Sequence, residues 1–403
     1  MLNSDCRSTP ESKEFFMKVV EVNVYVVETG GFRPPVVELV TDEGITGVGE
    51  SAVGFGIGCY AAGTMIADLA QNFVLGKDPG NINDIWNDFY YHTFWGKGGG
   101  AIFYAAASAL EQALWDIKGK KLGIPVYEFF GGKQRDVLRV YANDWGDKGF
   151  VHPEEMAQRA SEVVADGFTC LKMYPLSKYD PIRNLTRHIK NREVTMEDVK
   201  MTHTVVGMVR DAIGPDIDLM VDVTAEGSVG TMTRIGRSLE EFGLMWYEEP
   251  VDANDVDGYR QLHDSVNIPI AAGERFFTRY GFRRLMETRG VDIVQPDPGT
   301  CGGLRELWAI GMMAEAHSMQ IAPHNCGGPI LTAAAVQMAA CLTNHAILEV
   351  FPYRPAIHYD IVENAFERQI KNGQIIVPAL PGLGVTLNHQ VVDRFCTAHL
   401  QIE

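Results

Sequence analysis

The sequence predicts an α/β protein with an N-terminal α+β domain followed by a larger (β/α) barrel. Three observations predict it. Strand-like runs fill the chain up to about residue 60, and helical stretches follow them. From about residue 137, short apolar runs alternate with helical segments. Eight such runs occur, mostly about 25 residues apart, which is the spacing of a (β/α) barrel.

The N-terminal domain begins with two extended segments, 17–28 and 34–51, and a hairpin turn is expected at Asp42-Glu43-Gly44 in the second of them. Alanine and leucine then recur at helical spacing from Tyr60 to Leu75 and again from Ile102 to Leu122. An antiparallel sheet followed by helices is typical of an α+β domain.

The barrel strands are expected in eight apolar runs, at 137–143, 168–174, 217–223, 244–249, 269–274, 292–297, 319–324 and 346–351. We therefore place the N-terminal domain at 1–135 and the barrel at 136–355. Residues 356–403 form a third segment, which includes a stretch rich in proline and glycine at 373–387 and is expected to fold back over the first domain.

The composition excludes several classes of protein. The formal net charge of −17 repels phosphate backbones and anionic lipid surfaces, so neither a nucleic acid nor a membrane is expected as a partner. The seven cysteines are scattered without any CxxC pair, which argues against a disulfide framework and a zinc–thiolate site. No apolar signal core or membrane-length apolar run occurs, and we expect a cytoplasmic protein.

Ionisable residues end every predicted barrel strand after the first. In a parallel barrel the loops that follow the strands converge on one face, and chemistry is concentrated there. These residues are Lys172 and Tyr174, Asp222, Glu248, Glu274, Asp297, His324 and Glu349.

Three of these acids, Asp222, Glu248 and Glu274, are evenly spaced, one strand–helix unit apart. Three carboxylates in one barrel mouth repel one another unless a hard divalent cation lies among them. Ligation by oxygen with open positions suits Mg²⁺. The alternative is that each acid only caps the helix that follows it, but the even spacing favours the metal site.

Lys172 and Tyr174 are two residues apart on one strand, so their side chains lie on the same face. Taken alone, such a strand is more often a sheet edge whose lysine reaches solvent. Beside a metal, Tyr174 becomes a candidate base. That role needs a pKa about three units below the usual value near 10, roughly 4 kcal/mol, which the Lys172 ammonium and a divalent metal can supply.

His324 ends the seventh predicted strand, one unit after Asp297. A carboxylate that accepts a hydrogen bond from an imidazole fixes its tautomer and raises its basicity, so we interpret the pair as a proton-transfer dyad rather than as a core histidine. Glu349 has two interpretations of equal weight: a structural partner of a helix start, or a group facing the substrate carboxylate.

These residues predict one chemistry. A metal-bound carboxylate acidifies the adjacent C–H, and Lys172/Tyr174 and His324 approach it from opposite sides. Opposed acid/base groups permit either racemisation or elimination of a β-hydroxyl. A metal-dependent hydrolase would carry a His-x-His pair after the first strand, and 137–146 has none. A barrel kept only for binding is disfavoured by the complete set of site residues.

The chain resembles the enolase superfamily, in its mandelate-racemase-like branch of acid-sugar dehydratases, over nearly its whole length. The resemblance rests on the motifs SALEQALWDIKGK, VDV, WYEEP, AAGER, VQPDPGTCGG, APHNCGGP and ILE. It implies a capping domain over a (β/α)₇β barrel, Mg²⁺ on the three carboxylates, and cap loops around 29–35 and 52–60 that close over the substrate. It also implies a homo-oligomer.

Two positions depart from the branch. Many members carry Lys-x-Lys on the second strand, whereas this chain has Lys172-Met173-Tyr174. A tyrosine at this position resembles the base of some acid-sugar dehydratases, which favours Tyr174 as the base, with His324 as the alternative. An Asn is frequent where this chain has Thr224. The stretch 271–285 is similar to galactonate-type dehydratases. The resemblance therefore implies a Mg²⁺-dependent hydro-lyase that converts a sugar acid, an aldonate or an aldarate, into a 2-keto-3-deoxy acid, with an epimerase as the alternative.

Overall fold

The computed structural model describes residues 17–146, 153–176, 178–180, 185–187, 194–225 and 227–403, the third and fourth of these ranges by their backbone alone. The predicted fold class is confirmed. An antiparallel sheet with helices comes first, and a curled parallel sheet surrounded by helices follows it.

The N-terminal domain contains β1 (Val19–Val27), β2 (Pro35–Thr41), β3 (Thr46–Glu50), α1 (Cys59–Phe73), α2 (Ile82–Asn87) and α3 (Gly100–Leu122). The expected turn joins β2 to β3, with Gly44 at φ 76°. Two glycines of β3 let α3 pack directly on the sheet. A Cβ on Gly49 would lie 1.9 Å from the carbonyl oxygen of Ala109, and one on Gly47 would lie 2.2 Å from that of Ala113.

The barrel follows as β4 (Val137–Ala142), α4 (Pro153–Ala165), β5 (Cys170–Met173), β6 (Lys178–Asp180), β7 (Leu185–Arg187), α5 (Met196–Ile213), β8 (Asp218–Asp222), α6 (Val229–Leu239), β9 (Trp246–Glu248), α7 (Val256–His263), β10 (Ile270–Ala272), α8 (Thr278–Glu287), β11 (Ile293–Val294), α9 (Leu304–Ala316), β12 (Gln320–Ile321), α10 (Pro329–Cys341) and β13 (Leu348–Val350). Each predicted run contains one barrel strand. The hairpin β6–β7 lies in the longer gap between the second and third runs.

The eight barrel strands are parallel, in the order β13-β4-β5-β8-β9-β10-β11-β12. The two ends of this sheet meet: Ile321 N–H donates to Asn344 O at 3.1 Å, and Ala346 N–H donates to Ile321 O at 2.9 Å. The segment before β13 thus bonds to β12 and closes the barrel, with one helix between each pair of successive strands.

A layer of side chains, one from each strand, fills the barrel interior: Tyr141, Cys170, Met220, Trp246, Ala271, Ile293, Ala322 and Ile347. Side chains alternate along a strand, so the residue two positions later again points inward, closer to the carboxyl-terminal mouth. At seven of the eight strands that residue is polar, namely Asn143, Lys172, Asp222, Glu248, Gln295, His324 and Glu349, and at β10 it is Gly273. The strand period therefore brings the predicted site together.

Two buried glutamates of the N-terminal domain attach it to the barrel. Glu50, at the end of β3, accepts hydrogen bonds from the backbone N–H groups of Gly328 (2.5 Å) and Leu331 (3.1 Å), at the start of α10. Glu111 of α3 accepts from Leu304 (2.7 Å) and Arg305 at the start of α9. The first N–H groups of a helix lack intrahelical partners, and a carboxylate there also opposes the positive end of the helix dipole.

The remaining chain forms α11 (Ala356–Asp360), β14 (Gln374–Ile376), α12 (His389–Phe395) and β15 (Cys396–Ile402). β14 pairs with the barrel strand β4, and β15 is an edge strand of the N-terminal sheet beside β1. The domain boundaries at 135 and 355 stay predictions. Among the described helices, none is long and apolar enough to cross a lipid bilayer.

Glu50→Ala is expected to destabilise the fold by about 2–4 kcal/mol, because it removes a helix cap and leaves two buried N–H groups without acceptors. Denaturant titration of the variant and the wild-type protein gives the two free energies of unfolding, and their difference measures this loss of stability. Glu43→Ala is the matched control, since Glu43 lies in the exposed β2–β3 turn and forms a surface ion pair with Lys121, at 2.9 Å. Equal free energies for the two variants would contradict the capping role.

Candidate active site

Three carboxylates lie together at the barrel mouth. Asp222 and Glu248 are the last residues of β8 and β9, Glu274 lies two residues after the neighbouring β10, and each offers an oxygen within 4.8 Å of the others. Asp222 and Glu248 are buried. Burial and the nearby Glu248 charge hold the pKa of Asp222 well above its ordinary value. Such a cluster is electrostatically unfavourable unless a cation lies within it.

Each of the three carboxylates is oriented by a donor. Thr224 N–H donates to Asp222 Oδ1 at 2.9 Å, and Trp246 Nε1–H donates to Glu248 Oε2 at 2.7 Å. The Arg275 guanidinium lies 3.1 Å from Glu274 Oε1 and 3.0 Å from Glu249. This set of preoriented oxygen donors fits a hard divalent ion such as Mg²⁺.

Lys172 occupies the floor of the site. Its ammonium contacts Glu248 Oε1 and lies 2.9 Å from Glu349 Oε1 and 3.6 Å from Asp222 Oδ2. Burial disfavours the charge, but Glu248 and Glu349 outweigh it and place the pKa of Lys172 well above its usual range. The alternative of an exposed edge lysine is wrong, because Lys172 is buried on a central barrel strand.

The Tyr174 hydroxyl lies beside this lysine. Its oxygen accepts a hydrogen bond from Asn143 Nδ2 at 2.7 Å, and the Lys172 ammonium lies 5.8 Å from its ring centroid. An oxygen that accepts from an amide and faces a cation is oriented to carry negative charge. This geometry suits a phenolic base.

His324 and Asp297 are in contact, Nδ1 to Oδ2 at 2.6 Å, and Gly299 N–H fixes the other oxygen of Asp297 at 2.6 Å. The second ring nitrogen of His324, Nε2, lies 3.2 Å from Glu274 Oε2. Burial disfavours the imidazolium, but Glu349, Glu274 and Asp297 together raise the pKa of His324 to about 10. These carboxylates therefore favour the protonated form of the imidazole.

Glu349 is completely buried among donors. Lys172 and Asn143 Nδ2 (2.6 Å) share its Oε1, and Asn325 N–H donates to its Oε2 at 2.7 Å. Burial is outweighed by Lys172 and His324, and the pKa of Glu349 falls to about 2. Glu349 is thus an ionised acceptor with both oxygens in use, and its two interpretations stay predictions.

Sequence reasoning missed two polar residues of the site, because no ionisable group marks them. Asn143 is buried at the end of β4 and bridges Tyr174 to Glu349. Gln295 is buried at the end of β11, and its Nε2 has no partner among the described residues. Both lie two positions after an inward-facing strand residue, and this spacing is the signal that could have found them.

The two loops of the N-terminal domain, 29–35 and 52–60, meet each other near the mouth. Arg33 N–H donates to Gly54 O at 2.8 Å. The second loop also reaches the barrel, where Ala52 N–H donates to Gly299 O at 3.2 Å, beside the Asp297 carboxylate. The N-terminal domain thus contacts the loop that orients the His324–Asp297 pair.

The fold and site define a barrel enzyme with a capping domain, a three-carboxylate metal site and two flanking acid/base groups. The sequence family described as the mandelate racemase / muconate lactonizing enzyme N-terminal domain matches residues 24–131, and the family described as enolase C-terminal domain-like matches 155–391. The chain belongs to the enolase superfamily, in its mandelate-racemase-like branch.

Known proteins similar to this chain belong to the same class of enzyme. A D-galactonate dehydratase of Ralstonia pickettii is 33% identical over 384 residues, covering 93% of this chain and 94% of the relative. A solved structure from Mesorhizobium loti, 40% identical, has a TM-score of 0.89 and covers 95% of this chain and 100% of that one. A member of the enolase superfamily from Salmonella Typhimurium, 35% identical, also has a TM-score of 0.89, with 96% and 100% covered. The chain is thus a hydro-lyase of the dehydratase type.

Proposed function

We propose that this chain is a Mg²⁺-dependent sugar acid dehydratase that forms a 2-keto-3-deoxy acid. One observation carries the proposal. Tyr174 follows β5 and His324 follows β12, and the strands that bear Asp222, Glu248 and Glu274 lie between them. A substrate carboxylate at the three-carboxylate site therefore has a base on one flank and an acid on the other.

Asp222, Glu248 and Glu274 would hold the Mg²⁺. When bound, this ion stabilises negative charge that develops on the substrate carboxylate and so acidifies the C2 hydrogen. The oxygen donors of the site and the cluster of negative charge both support its identity.

In this mechanism the Tyr174 phenolate removes the C2 proton, and Lys172 and Asn143 stabilise the phenolate beforehand. The electron pair of the C2–H bond first stays on the substrate as an enediolate, and it forms the C2–C3 double bond when the C3–O bond breaks in a second step. The His324 imidazolium, held by Asp297, donates its proton to the leaving hydroxyl, which departs as water. Ketonisation of the resulting enol gives the 2-keto-3-deoxy acid.

The test is product analysis on a panel of mono- and dicarboxylic sugar acids with the Mg²⁺-loaded enzyme. D-Galactonate is the first acid to assay, because characterised relatives are named for it. We expect a keto product that reacts with semicarbazide in the presence of Mg²⁺ and none after chelation with EDTA. Inverted starting acid without keto product would establish the epimerase alternative instead. No conversion of any acid would overturn the proposal.

A further inference from the structure

An ion pair without an assigned role lies at the mouth of the barrel. Asp144 follows β4, and Arg354 follows the neighbouring strand β13, so both lie on the carboxyl-terminal side, where the site is. Arg354 Nε lies 2.9 Å from Asp144 Oδ2, and the two side chains are 17% and 15% exposed. Both groups are therefore largely shielded from solvent yet still accessible to a small ligand.

Both the barrel and the N-terminal domain build this pair. The Arg354 guanidinium lies 5.2 Å from the ring centroid of Phe32, in the 29–35 loop, and 4.8 Å from that of Phe351. Asp144 has φ 55°, a left-handed conformation that is costly for a residue with a side chain, and its N–H donates to Asn143 Oδ1 at 2.7 Å. Such strain persists where the surroundings fix it, often at functional sites.

The pair is adjacent to the catalytic groups. Asn143, the residue before Asp144, donates to Tyr174 and to Glu349. Arg354 comes five residues after Glu349, across the short loop that follows β13. A substrate whose carboxylate lies among Asp222, Glu248 and Glu274 would therefore extend its far end toward the N-terminal domain, past Tyr174 and toward this pair.

We propose that Asp144 and Arg354 bind the polyol end of the substrate and make the enzyme selective for monocarboxylic over dicarboxylic sugar acids. This inference rests on the proposed dehydratase function. A terminal hydroxyl both donates and accepts, so it can donate to Asp144 and accept from the guanidinium of Arg354, whose Nε lies 2.9 Å from Asp144 Oδ2.

A second carboxylate meets a different environment. It has no proton to donate to Asp144 at neutral pH, and the Asp144 charge repels it from the neighbouring guanidinium. The ion pair is neutral as a whole, so it offers no net attraction to an anion. Selectivity then comes from a repulsive element as well as from the hydrogen bonds to the hydroxyls.

The test compares kcat/KM for an aldonate and for the aldarate of the same configuration, which differ only at the terminal carbon. The wild-type enzyme should prefer the aldonate by about tenfold or more, the worth of one hydrogen bond to a charged group. Asp144→Asn should shift this ratio toward the aldarate by about tenfold, mainly through KM, because it removes the repulsion and leaves Arg354 unpaired. Asn tolerates the left-handed conformation that Asp144 adopts.

Two further variants complete the test. Arg354→Lys keeps the positive charge but loses the fork of donors, and it should raise KM for the aldonate about tenfold with kcat little changed. Asp264→Asn is the matched control, since Asp264 forms an exposed ion pair with Arg260 on α7, 2.7 Å apart. It makes the same chemical change away from the mouth and should leave the ratio unaltered.

The outcomes separate the two proposals. A wild-type enzyme that prefers the aldarate, or an unchanged ratio in a folded Asp144→Asn variant, would overturn this inference while the dehydratase function stands. If Asp144→Asn fails to fold, the KM of Arg354→Lys decides in the same way. No keto product from either acid would overturn the dehydratase function and this inference with it.

Discussion

Glu248→Gln is expected to abolish Mg²⁺-dependent turnover, with a loss in kcat/KM of about 10³-fold or more. Glu248 is the central carboxylate of the three, on the strand between those of Asp222 and Glu274. Stabilising charge on a metal-polarised oxygen is worth several kcal/mol, and each 1.36 kcal/mol is tenfold in rate. The amide keeps the shape of the side chain and its contact with Trp246, but it removes an anionic ligand.

Mg²⁺ binding itself provides a readout apart from activity. At 100 times Kd, a ligand that binds only the folded protein stabilises it by about 2.7 kcal/mol, so Mg²⁺ should raise the Tm of the wild-type protein. Glu248→Gln should show little or no rise over the same titration. Glu287→Gln is the control, since Glu287 lies exposed at the end of α8 that is farther from the three carboxylates in the chain, and it forms a surface ion pair with Arg283. A Mg²⁺ response of wild-type size in Glu248→Gln would exclude this residue as a ligand.

Much of this architecture could be predicted from the sequence because two regular spacings act together: the distance from one strand to the next, and the alternation of side chains along each strand. Eight apolar runs at barrel spacing predict the strands, and the alternation within each run decides which residues point inward. Lys172, Asp222, Glu248 and Glu349 follow directly from both spacings, since each lies two positions after a side chain of the interior layer. Their ionisable groups then make them visible as candidates.

Other parts of the site depend on packing between segments that are distant in the sequence. Nothing in the local sequence marks Asn143 as a site residue, and its hydrogen bonds to Tyr174 and Glu349 form only in the folded protein. The pairing of Arg354 with Asp144 depends on the barrel closing, which makes the last strand a neighbour of the first. Neither contact follows from a local sequence pattern, so assigning the strands and the residues at their ends could not predict these two contacts.

The structure also changes how the net charge of −17 is understood. Several acids of the mouth have cationic partners from the chain itself: Lys172 lies among Glu248, Glu349 and Asp222, and Arg275 contacts Glu274. These cations offset part of the negative charge where an anionic substrate must bind, although the protein as a whole repels anions. Capture of substrate is expected to depend on this local charge rather than on long-range steering.

Tyr174→Phe and His324→Asn should each lower kcat by about 10²- to 10⁴-fold, the usual range for loss of a general acid or base. Mg²⁺-induced stabilisation should survive in both variants, because neither residue belongs to the three-carboxylate site. Tyr280→Phe is the matched control, since Tyr280 lies on α8 and is 48% exposed. Near-normal turnover in Tyr174→Phe would remove this tyrosine from the mechanism.

Hydrogen exchange in D₂O distinguishes the two roles. If Tyr174 removes the C2 proton, His324→Asn should still exchange C2–H for deuterium in recovered substrate, because only loss of the hydroxyl is blocked. Tyr174→Phe should show neither exchange nor product. The Asn143 hydrogen bond to the Tyr174 oxygen and the protonated state of His324 both favour this assignment. The opposite result, exchange in Tyr174→Phe and none in His324→Asn, would make the His324–Asp297 pair the base and Tyr174 the acid.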